Sequence, residues 1–550
     1  MTSDPANTAK TAGAVRTLLI AGVACTALAA CDAYRDGTSQ DSAANAGPAP
    51  AMQIAINDPS AEPRQRATLP TAAAGDEDYA DTAPNPIKSV AEAPVSTFSV
   101  DVDTAAYANV RRFITGGQLP PKDAVRVEEM INYFDYAYPL PADKGRPFAA
   151  NVAVLPTPWN PNTKLLHIGL KGYDIPRKER PRANLVFLLD VSGSMDEPDK
   201  LPLLKQSLKM MVNDLRNDDT VAMVTYAGTA GVALEPTRGR DRAEILAAID
   251  SLTAGGSTAG AAGLQTAYGL AEESFDKKAV NRVILATDGD FNVGMTDPEQ
   301  LEAFITETRK TGIYLSVLGF GTGNLNDLLM QKLAQTGNGN AAYIDSLLEA
   351  RKALVDEMAS NLFPIADDVK IQVEFNPRQI AEYRLIGYET RALNREDFAN
   401  DQVDAGEIGS GHEVTAIYEI TPVGSTATLL EPLRYSEETE GPKDGRSGEI
   451  AFLQLRYKLP GEATSHLIER PITAKDSYAE IALAPAETRF AVAVAAFGQL
   501  LRGDPYLKAF GYDQVIALAQ PARGDDPFGY RSEFVQLVRL AGGTPVATAE

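Results

Sequence analysis

An aspartate and two serines at alternate positions, Asp190, Ser192 and Ser194, are the residues in this sequence best suited to bind a metal ion. They follow directly on the apolar run 184–189, which is typical of a strand buried on both faces of a parallel sheet. In open α/β folds, ligands bind at the carboxyl edge of such a sheet. The three side chains offer hard oxygen donors, which suit Mg²⁺ or Mn²⁺ and not a thiophilic metal.

Two later stretches supply further oxygen ligands beside predicted strands or helices. The segment 255–260 is rich in glycine, opens a helical run and presents Thr258, and the buried strand 282–287 ends at Asp288. Each fragment alone is a weak signal, because the same residues also cap helices and form ordinary turns. Three such fragments in order, each after a fitting strand or before a helix, favour metal binding over that structural alternative.

Together the fragments resemble the von Willebrand factor A (VWA) domain and its metal-ion-dependent adhesion site. The resemblance implies that the hydroxyl groups bind the metal directly and that the carboxylates act largely through water. It also implies a vacant coordination position, which takes an Asp or Glu side chain from a protein partner. The matching positions are Asp190, Ser192, Ser194, Thr258 and Asp288.

The predicted function is therefore Mg²⁺-dependent (or Mn²⁺-dependent) protein binding by an adhesion or scaffold module. We expect no enzymatic activity, because no general base or nucleophile is recognisable beside the predicted metal ligands. Two alternatives stay open, a hydrolase in which the same metal activates water and a structural envelope scaffold whose metal only stabilises the fold. Hydroxyl-rich coordination suits hydrolysis less well than a cage of carboxylates does.

Composition restricts the class of partner. The 550 residues carry a formal net charge of −23, which argues against nucleic acid as a partner and against electrostatic adsorption on anionic lipid. The hydrophobic content of 44% and the charged content of 23% are typical of a soluble globular protein. The length allows two to four domains.

The first thirty residues have the pattern of a leader. Lys10 and Arg16 precede the apolar run 17–28, which is too short to span a bilayer comfortably and indicates a signal peptide. The run ends in Leu-Ala-Ala-Cys31, which resembles a bacterial lipobox and implies lipid attachment at Cys31; the alternative is an ordinary signal peptide. Asp32 resembles an inner-membrane retention signal, so we expect a lipid-anchored protein on the periplasmic face of the inner membrane.

Resemblance extends beyond the metal motif. The string TFSVDVDTAAYANVRRF at 97–113 and the string LIGYETRALNREDF at 385–398 resemble the N-terminal and C-terminal modules of the bacterial YfbK-like VWA proteins. Residues 33–94 are rich in Ala, Pro, Asp and Ser, which predicts disorder. The predicted segments are a signal peptide (1–30), a disordered tether (31–94), an N-terminal module (95–182), the VWA domain (183–362) and a C-terminal module (363–550).

The predicted fold class is α/β. Strands alternate with helices in the VWA segment, which predicts a doubly wound, mostly parallel, Rossmann-like sheet. Period-two strands at 369–375, 414–420 and 451–457 predict antiparallel pairing. The strands 148–155 and 164–172 are too few to bury a core alone. We therefore expect the two flanks to form one β-sandwich with helices packed around it, into which the VWA domain is inserted.

Overall fold

The apolar run that ends at Asp190 forms an inner strand of a six-stranded sheet, and two further sheets are built from the sequence segments that flank it. The structure is a computed structural model that describes residues 69–72, 77, 79, 83–100, 103–142, 145–256, 260–289, 298–322, 325–357, 360, 362–431, 433 and 448–543. None of the helices in these ranges has both the length and the apolar character needed to cross a membrane.

The strands within these ranges are β1 (Lys88–Ser89), β2 (Val95–Ser99), β3 (Phe148–Thr157), β4 (Asn160–Gly172), β5 (Arg182–Asp190), β6 (Thr220–Tyr226), β7 (Ala230–Arg238), β8 (Ala279–Thr287), β9 (Ile313–Phe320), β10 (Ala341–Ile344), β11 (Pro364–Phe375), β12 (Ile380–Ile386), β13 (Ala392–Leu393), β14 (Ile408–Gly409), β15 (Glu413–Pro422), β16 (Glu449–Lys458) and β17 (His466–Thr473). The α-helices are α1 (Ala105–Thr115), α2 (Val127–Asn132), α3 (Leu201–Asp214), α4 (Arg242–Ser251), α5 (Gly260–Glu273), α6 (Pro298–Arg309), α7 (Asp327–Thr336), α8 (Leu347–Arg351), α9 (Ala486–Arg502), α10 (Tyr512–Ala519) and α11 (Tyr530–Ala541).

The six-stranded sheet has the order β10-β9-β8-β5-β6-β7. Its neighbouring strands are parallel except for β7, which pairs antiparallel with β6 at the edge. Apolar side chains from α3, α4 and α8 cover one face, and those from α5, α6 and α7 cover the other. Strand β5 is buried on both faces, which explains its uninterrupted apolar sequence. We call β5–β10 with α3–α8 the α/β unit.

Two antiparallel sheets make up the rest of the strand structure. The first has the order β1-β12-β15-β4-β3, and the second has the order β13-β2-β11-β16-β17, with β14 pairing with β11. In the first sheet Leu166 of β4 lies opposite Tyr418 of β15, and in the second Phe98 of β2 lies opposite Ile371 of β11. Each sheet thus joins strands that precede the α/β unit to strands that follow it. We call this part of the chain, with its helices, the body.

The body is layered. Apolar side chains from both antiparallel sheets, including Val154, Ile371 and Leu453, pack into one core between them, as in a β-sandwich. The other face of the first sheet is covered by α1, α2 and α9–α11, where Phe134 contacts the ring of Phe490 at a centroid distance of 5.1 Å. The predicted fold class, an α/β domain inserted into a β-sandwich with helices, is confirmed.

The predicted tether is wrong at its carboxyl end. Residues 88–89 form β1, which pairs with β12, and Val90 is buried. Asn85 Nδ2 donates to the Gly387 carbonyl oxygen at 2.7 Å. Composition does not predict this ordered structure, because the segment is short and has no core of its own. It is ordered by pairing with β12 at the edge of the sheet and by hydrogen bonds to the backbone of the body. The leader, Cys31 and the tether up to residue 68 lie outside the described residues.

Buried ion pairs fix the α/β unit to the body. Arg126, just before α2, contacts Glu129, and its Nη1 donates to Asp327 Oδ2 at the start of α7 at 2.7 Å. The side chains of these three residues are only 4%, 2% and 1% exposed. Arg111 of α1 makes a second such contact, with Glu349 of α8 at 2.7 Å. The two parts of the chain are therefore joined through charges that water does not reach.

The strand order leads to a prediction about truncation. A protein reduced to residues 363–550 would keep β11 and β15 but lose their neighbours β2 and β4, so the apolar core of the sandwich would be exposed on both sheets. We expect this fragment to be insoluble, or to lack a cooperative thermal transition when followed by circular dichroism. Co-expression with residues 95–182 is the matched control. A cooperative transition of the fragment alone would contradict the composite body.

Candidate metal-binding site

The chain leaves β5 at Asp190, whose side chain is completely buried. Its Oδ1 accepts a hydrogen bond from the backbone nitrogen of Ser192 at 2.8 Å, which holds the following loop close to the end of the strand. The hydroxyl oxygens of Ser192 and Ser194 are 3.0 Å apart. Adjacent ligands on octahedral Mg²⁺ lie about 2.9 Å apart when the metal–oxygen distances are about 2.0–2.1 Å. The two hydroxyl groups are thus spaced as two ligands of one Mg²⁺ would be.

A second loop is tied to the first. The Gly255 nitrogen donates to the Val191 carbonyl oxygen at 2.8 Å, and the Gly193 nitrogen donates to the Gly256 carbonyl oxygen at 3.1 Å. Gly256 has a φ of +90°, a conformation that glycine adopts readily and other residues do not. These bonds hold Gly255 and Gly256, which lie just before Thr258 in the sequence, beside the loop that carries Ser192 and Ser194. Thr258 itself lies outside the described residues.

Asp288 follows β8, the strand beside β5, and its side chain is also completely buried. Its Oδ2 accepts a hydrogen bond from Lys200 Nζ at 2.9 Å, and the lysine side chain is only 8% exposed. The aliphatic part of Lys200 packs on Gly321, where an added Cβ would lie 2.3 Å from Lys200 Cε. A glycine at this position therefore leaves room for the ammonium group to reach the carboxylate.

The buried charges at this edge of the sheet leave a small excess of negative charge. Asp190 and Asp288 each contribute −1 and Lys200 contributes +1, so the net charge of the three is −1. Burial raises the pKa of Asp190 above its ordinary value; hydrogen bonds from Ser192 oppose this shift, and the charge of Asp288 adds to it. With a divalent cation the net charge would become +1, which would favour an anionic ligand.

The residues present fit a hard divalent cation. Asp190 Oδ2 is buried and accepts no hydrogen bond of normal geometry from the described residues, although the Tyr226 hydroxyl is close enough to lower the carboxyl pKa. Such an oxygen costs free energy unless a cation or a water molecule satisfies it. No group of three or more His, Cys, Asp or Glu side chains that could hold a metal is present in the described ranges, and the candidate site itself depends on hydroxyl groups for most of its ligands.

The structure places four of the five predicted metal ligands at the carboxyl edge of β5 and β8, namely Asp190, Ser192, Ser194 and Asp288. Metal binding by them stays a prediction. The contact of Lys200 with Asp288 was not predicted from the sequence. A lysine at a helix start gives no signal that its ammonium group contacts a carboxylate 88 residues later in the chain.

Comparison with known proteins places the chain in a family. Three family models match it: von Willebrand factor at 73–167, von Willebrand factor type A domain at 184–357, and "Uncharacterized protein YfbK, C-terminal" at 360–543. YfbK of Escherichia coli (strain K12) is 47% identical over 466 residues, which cover 84% of this chain and 80% of YfbK. The chain belongs to the YfbK family. Its α/β unit is a VWA domain, and such domains generally serve in protein–protein interaction.

Solved structures also match this YfbK-family chain. A von Willebrand factor type A protein from Catenulispora acidiphila is 18% identical, with a TM-score of 0.39, and the match covers 71% of this chain and 89% of that one. Proximal thread matrix protein 1 from the mussel byssus, in a form whose metal-ion-dependent adhesion site (MIDAS) motif is occupied by zinc, is 26% identical with a TM-score of 0.27. That match covers 32% of this chain and 45% of the mussel protein.

Proposed function

We propose that the VWA domain is a protein-binding module of the adhesion or scaffold type whose site holds Mg²⁺, or Mn²⁺ in its place. The arrangement of Asp190, Ser192 and Ser194 supports this proposal, because two hydroxyl oxygens 3.0 Å apart lie beside a completely buried carboxylate. When bound, the cation supplies an electrophilic position that accepts one more oxygen ligand. The partner is a protein that presents an Asp or Glu carboxylate.

Each residue has a distinct part in this proposal. Ser192 and Ser194, with Thr258 as a third hydroxyl, hold the cation directly. Asp190 and Asp288 orient the ligating water molecules and supply charge. Lys200 neutralises Asp288, so that a loaded site keeps a net positive charge. That charge favours an acidic partner over a neutral or basic one.

The metal part of the proposal predicts binding of about one Mg²⁺ or Mn²⁺ per chain. The double substitution Ser192→Ala with Ser194→Ala should abolish it without unfolding the sheet, because Ser194 is exposed and, among the described residues, the Ser192 hydroxyl bonds only to Ser194 and Asp190 in the same loop. Ca²⁺ should bind less tightly, since its larger shell prefers more carboxylates. Titration calorimetry with Ser251→Ala as the control tests this. Stoichiometric binding by the double variant would rule out the assignment.

The partner part of the proposal is tested by cross-linking and affinity capture from cell envelopes, with Mg²⁺ and with EDTA. Proteins that depend on Mg²⁺ and are also lost with the double serine variant are candidate partners. Substitution of one Asp or Glu on such a partner should then abolish capture. Mg²⁺-dependent turnover of phosphatase, esterase or peptidase substrates that disappears in Asp190→Ala would instead support the hydrolase alternative.

We further propose that the chain is a lipoprotein anchored through Cys31 and facing the periplasm, with Asp32 favouring the inner membrane. Cys31→Ser should release the protein from the membrane or leave its precursor uncleaved, because the lipid is attached to that thiol. Fractionation with immunoblotting measures both results, and Cys25→Ser, inside the leader, is the matched control. Membrane association unchanged in Cys31→Ser would contradict the anchor. Wild-type protein found solely in the outer membrane would contradict the role of Asp32.

A further inference from the structure

Two residues of the predicted tether, Glu77 and Tyr79, are bound to α1 through their side chains. Arg112 of α1 donates from Nη1 to Glu77 Oε1 at 2.9 Å and from Nη2 to Glu77 Oε2 at 2.7 Å. This is the two-bond geometry in which a guanidinium recognises a carboxylate. The Tyr79 hydroxyl donates to Glu77 Oε2 at 2.8 Å and accepts from Arg112 Nη2 at 3.2 Å. We call these three residues the clasp.

The clasp is shielded from water, yet the segment that supplies Glu77 has no hydrophobic core of its own. The Glu77 and Arg112 side chains are 11% and 16% exposed, so water screens this ion pair less than it screens a surface pair. Apart from Tyr79, residues 72–82 carry no apolar side chain larger than that of alanine. A short linker presents its residues at an effective concentration of about millimolar. An external acidic segment of the same chemistry can therefore compete for Arg112.

The clasp lies at the rim of the face that carries the predicted metal ligands. The guanidinium carbon of Arg112 is 5.5 Å from the centroid of the Tyr343 ring, and the Tyr343 hydroxyl donates at 2.6 Å to the carbonyl oxygen of Gly321, just after β9. Burial raises the pKa of Tyr343; the charge of Arg112 opposes this rise, and the charges of Glu77 and Asp199 add to it. Glu77 thus acts on the same ring as Asp199, which lies in the loop between the metal-site serines and α3.

The geometry of the clasp defines the ligand that it selects. The guanidinium of Arg112 takes one carboxylate through two parallel hydrogen bonds, and the tyrosine hydroxyl adds a third bond to the same carboxylate. In an extended peptide, residues two apart lie on the same face. A glutamate followed two residues later by a tyrosine therefore presents both groups to Arg112 together.

We propose that Arg112 is an exchangeable binding site for an acidic peptide segment with a tyrosine two residues after a glutamate, and that Glu77 and Tyr79 occupy it in cis. The site goes beyond the proposed function and does not depend on a bound metal. An acidic protein that approaches the metal site meets this second cationic site at its rim, where it has to displace Glu77.

The test uses full-length protein and a synthetic peptide with the sequence of residues 75–83, followed by saturation-transfer NMR. All samples contain EDTA, so that acidic groups of the peptide cannot bind through a metal. The double substitution Glu77→Gln with Tyr79→Ala releases the cis segment and leaves Arg112 in place. This variant should bind the peptide at least tenfold more tightly than the wild type, in which Glu77 competes, and its thermal midpoint should be unchanged.

Two further changes show whether the peptide binds at the clasp. A peptide with Gln in place of Glu77 should bind the released variant at least tenfold more weakly, whereas a peptide with Asn in place of Asp81 loses the same charge and should stay within about twofold. Adding Arg112→Gln to the released variant should abolish binding, with the exposed Arg240→Gln as its control. No saturable binding by the released variant, equal affinity of the wild type, or equal binding of the Gln peptide would overturn the proposal and leave the clasp as a fixed internal contact.

Discussion

Arg126→Met should lower the free energy of unfolding by about 3–5 kcal/mol, the cost typical of breaking a buried ion pair by removing one partner. The substitution replaces the unbranched part of the side chain but removes the guanidinium, which leaves Glu129 and Asp327 buried without their cation. Because Asp327 belongs to the VWA domain and Arg126 to the body, the loss should also weaken the attachment of the two parts. Arg177→Met is the matched control; its ion pair with Asp214 is largely exposed, and its loss should cost at most about 1 kcal/mol.

The loss caused by Arg126→Met should depend on pH. Burial already raises the pKa of Asp327, and the charge of Arg126 opposes that rise, so the substitution should raise this pKa further. A carboxyl group whose pKa is higher in the folded state binds more protons when folded, so stability falls as pH rises from the unfolded pKa of 3.8 through the folded one. Urea unfolding at pH 5 and pH 7 measures this. A deficit below 1 kcal/mol, or one that grows towards acid, would contradict the expectation.

Lys200→Met should change metal affinity and stability in opposite directions. It removes the positive charge beside Asp288 and changes the net charge of the buried site from −1 to −2, so we expect Mg²⁺ or Mn²⁺ to bind at least tenfold more tightly. In EDTA the same variant should be less stable than the wild type by about 3 kcal/mol or more, because a fully buried carboxylate loses its ammonium partner. Saturating Mg²⁺ should recover most of that stability.

Calorimetry and thermal unfolding with and without Mg²⁺ measure these effects. Lys209→Met, which removes a partly exposed charge from α3, the helix that follows Lys200, should leave both quantities nearly unchanged. Lys200→Arg keeps the charge, and its metal affinity should stay closer to that of the wild type. Weaker metal binding by Lys200→Met would contradict this expectation. It would mean that the ammonium group stabilises the arrangement of the site more than it repels the metal cation.

The sequence carries enough information for the fold class and for most of the site, because both depend on local patterns. The run 184–189 is apolar at every position except its first residue. A strand needs such an uninterrupted apolar sequence only when it is buried on both faces. Alternating residues at 451–457 predict the antiparallel strand that the structure extends to Glu449–Lys458. The family strings at 97–113 and 385–398 likewise identify the modules around the VWA domain. These signals involve neighbouring residues and need no knowledge of distant contacts.

The features that sequence reasoning missed depend on contacts between distant residues. Strand β12 was not predicted, because Glu382 and Arg384 interrupt its apolar pattern, and both are buried; Arg384 is paired with Glu419 of the neighbouring strand. Edge strand β17 contains Pro471, which normally argues against a strand. Lys200 and Asp288 are far apart in sequence, and no local rule predicts their contact. Buried charges are the common element in most of these omissions.

The mixed strand order of the body has a consequence for the time course of synthesis. Strands β5–β10 lie within residues 182–344, so the VWA sheet has all its strands before the ribosome reaches β11. Strand β4 must wait for β15, and β2 must wait for β11, about 240 and 270 residues later. Throughout that interval the apolar faces of β2, β3 and β4 have no sheet to pack against, and a nascent chain in that state is prone to aggregation. We therefore expect the N-terminal module to depend on chaperones during synthesis, and a chain terminated anywhere before residue 413 would leave β4 without β15 permanently.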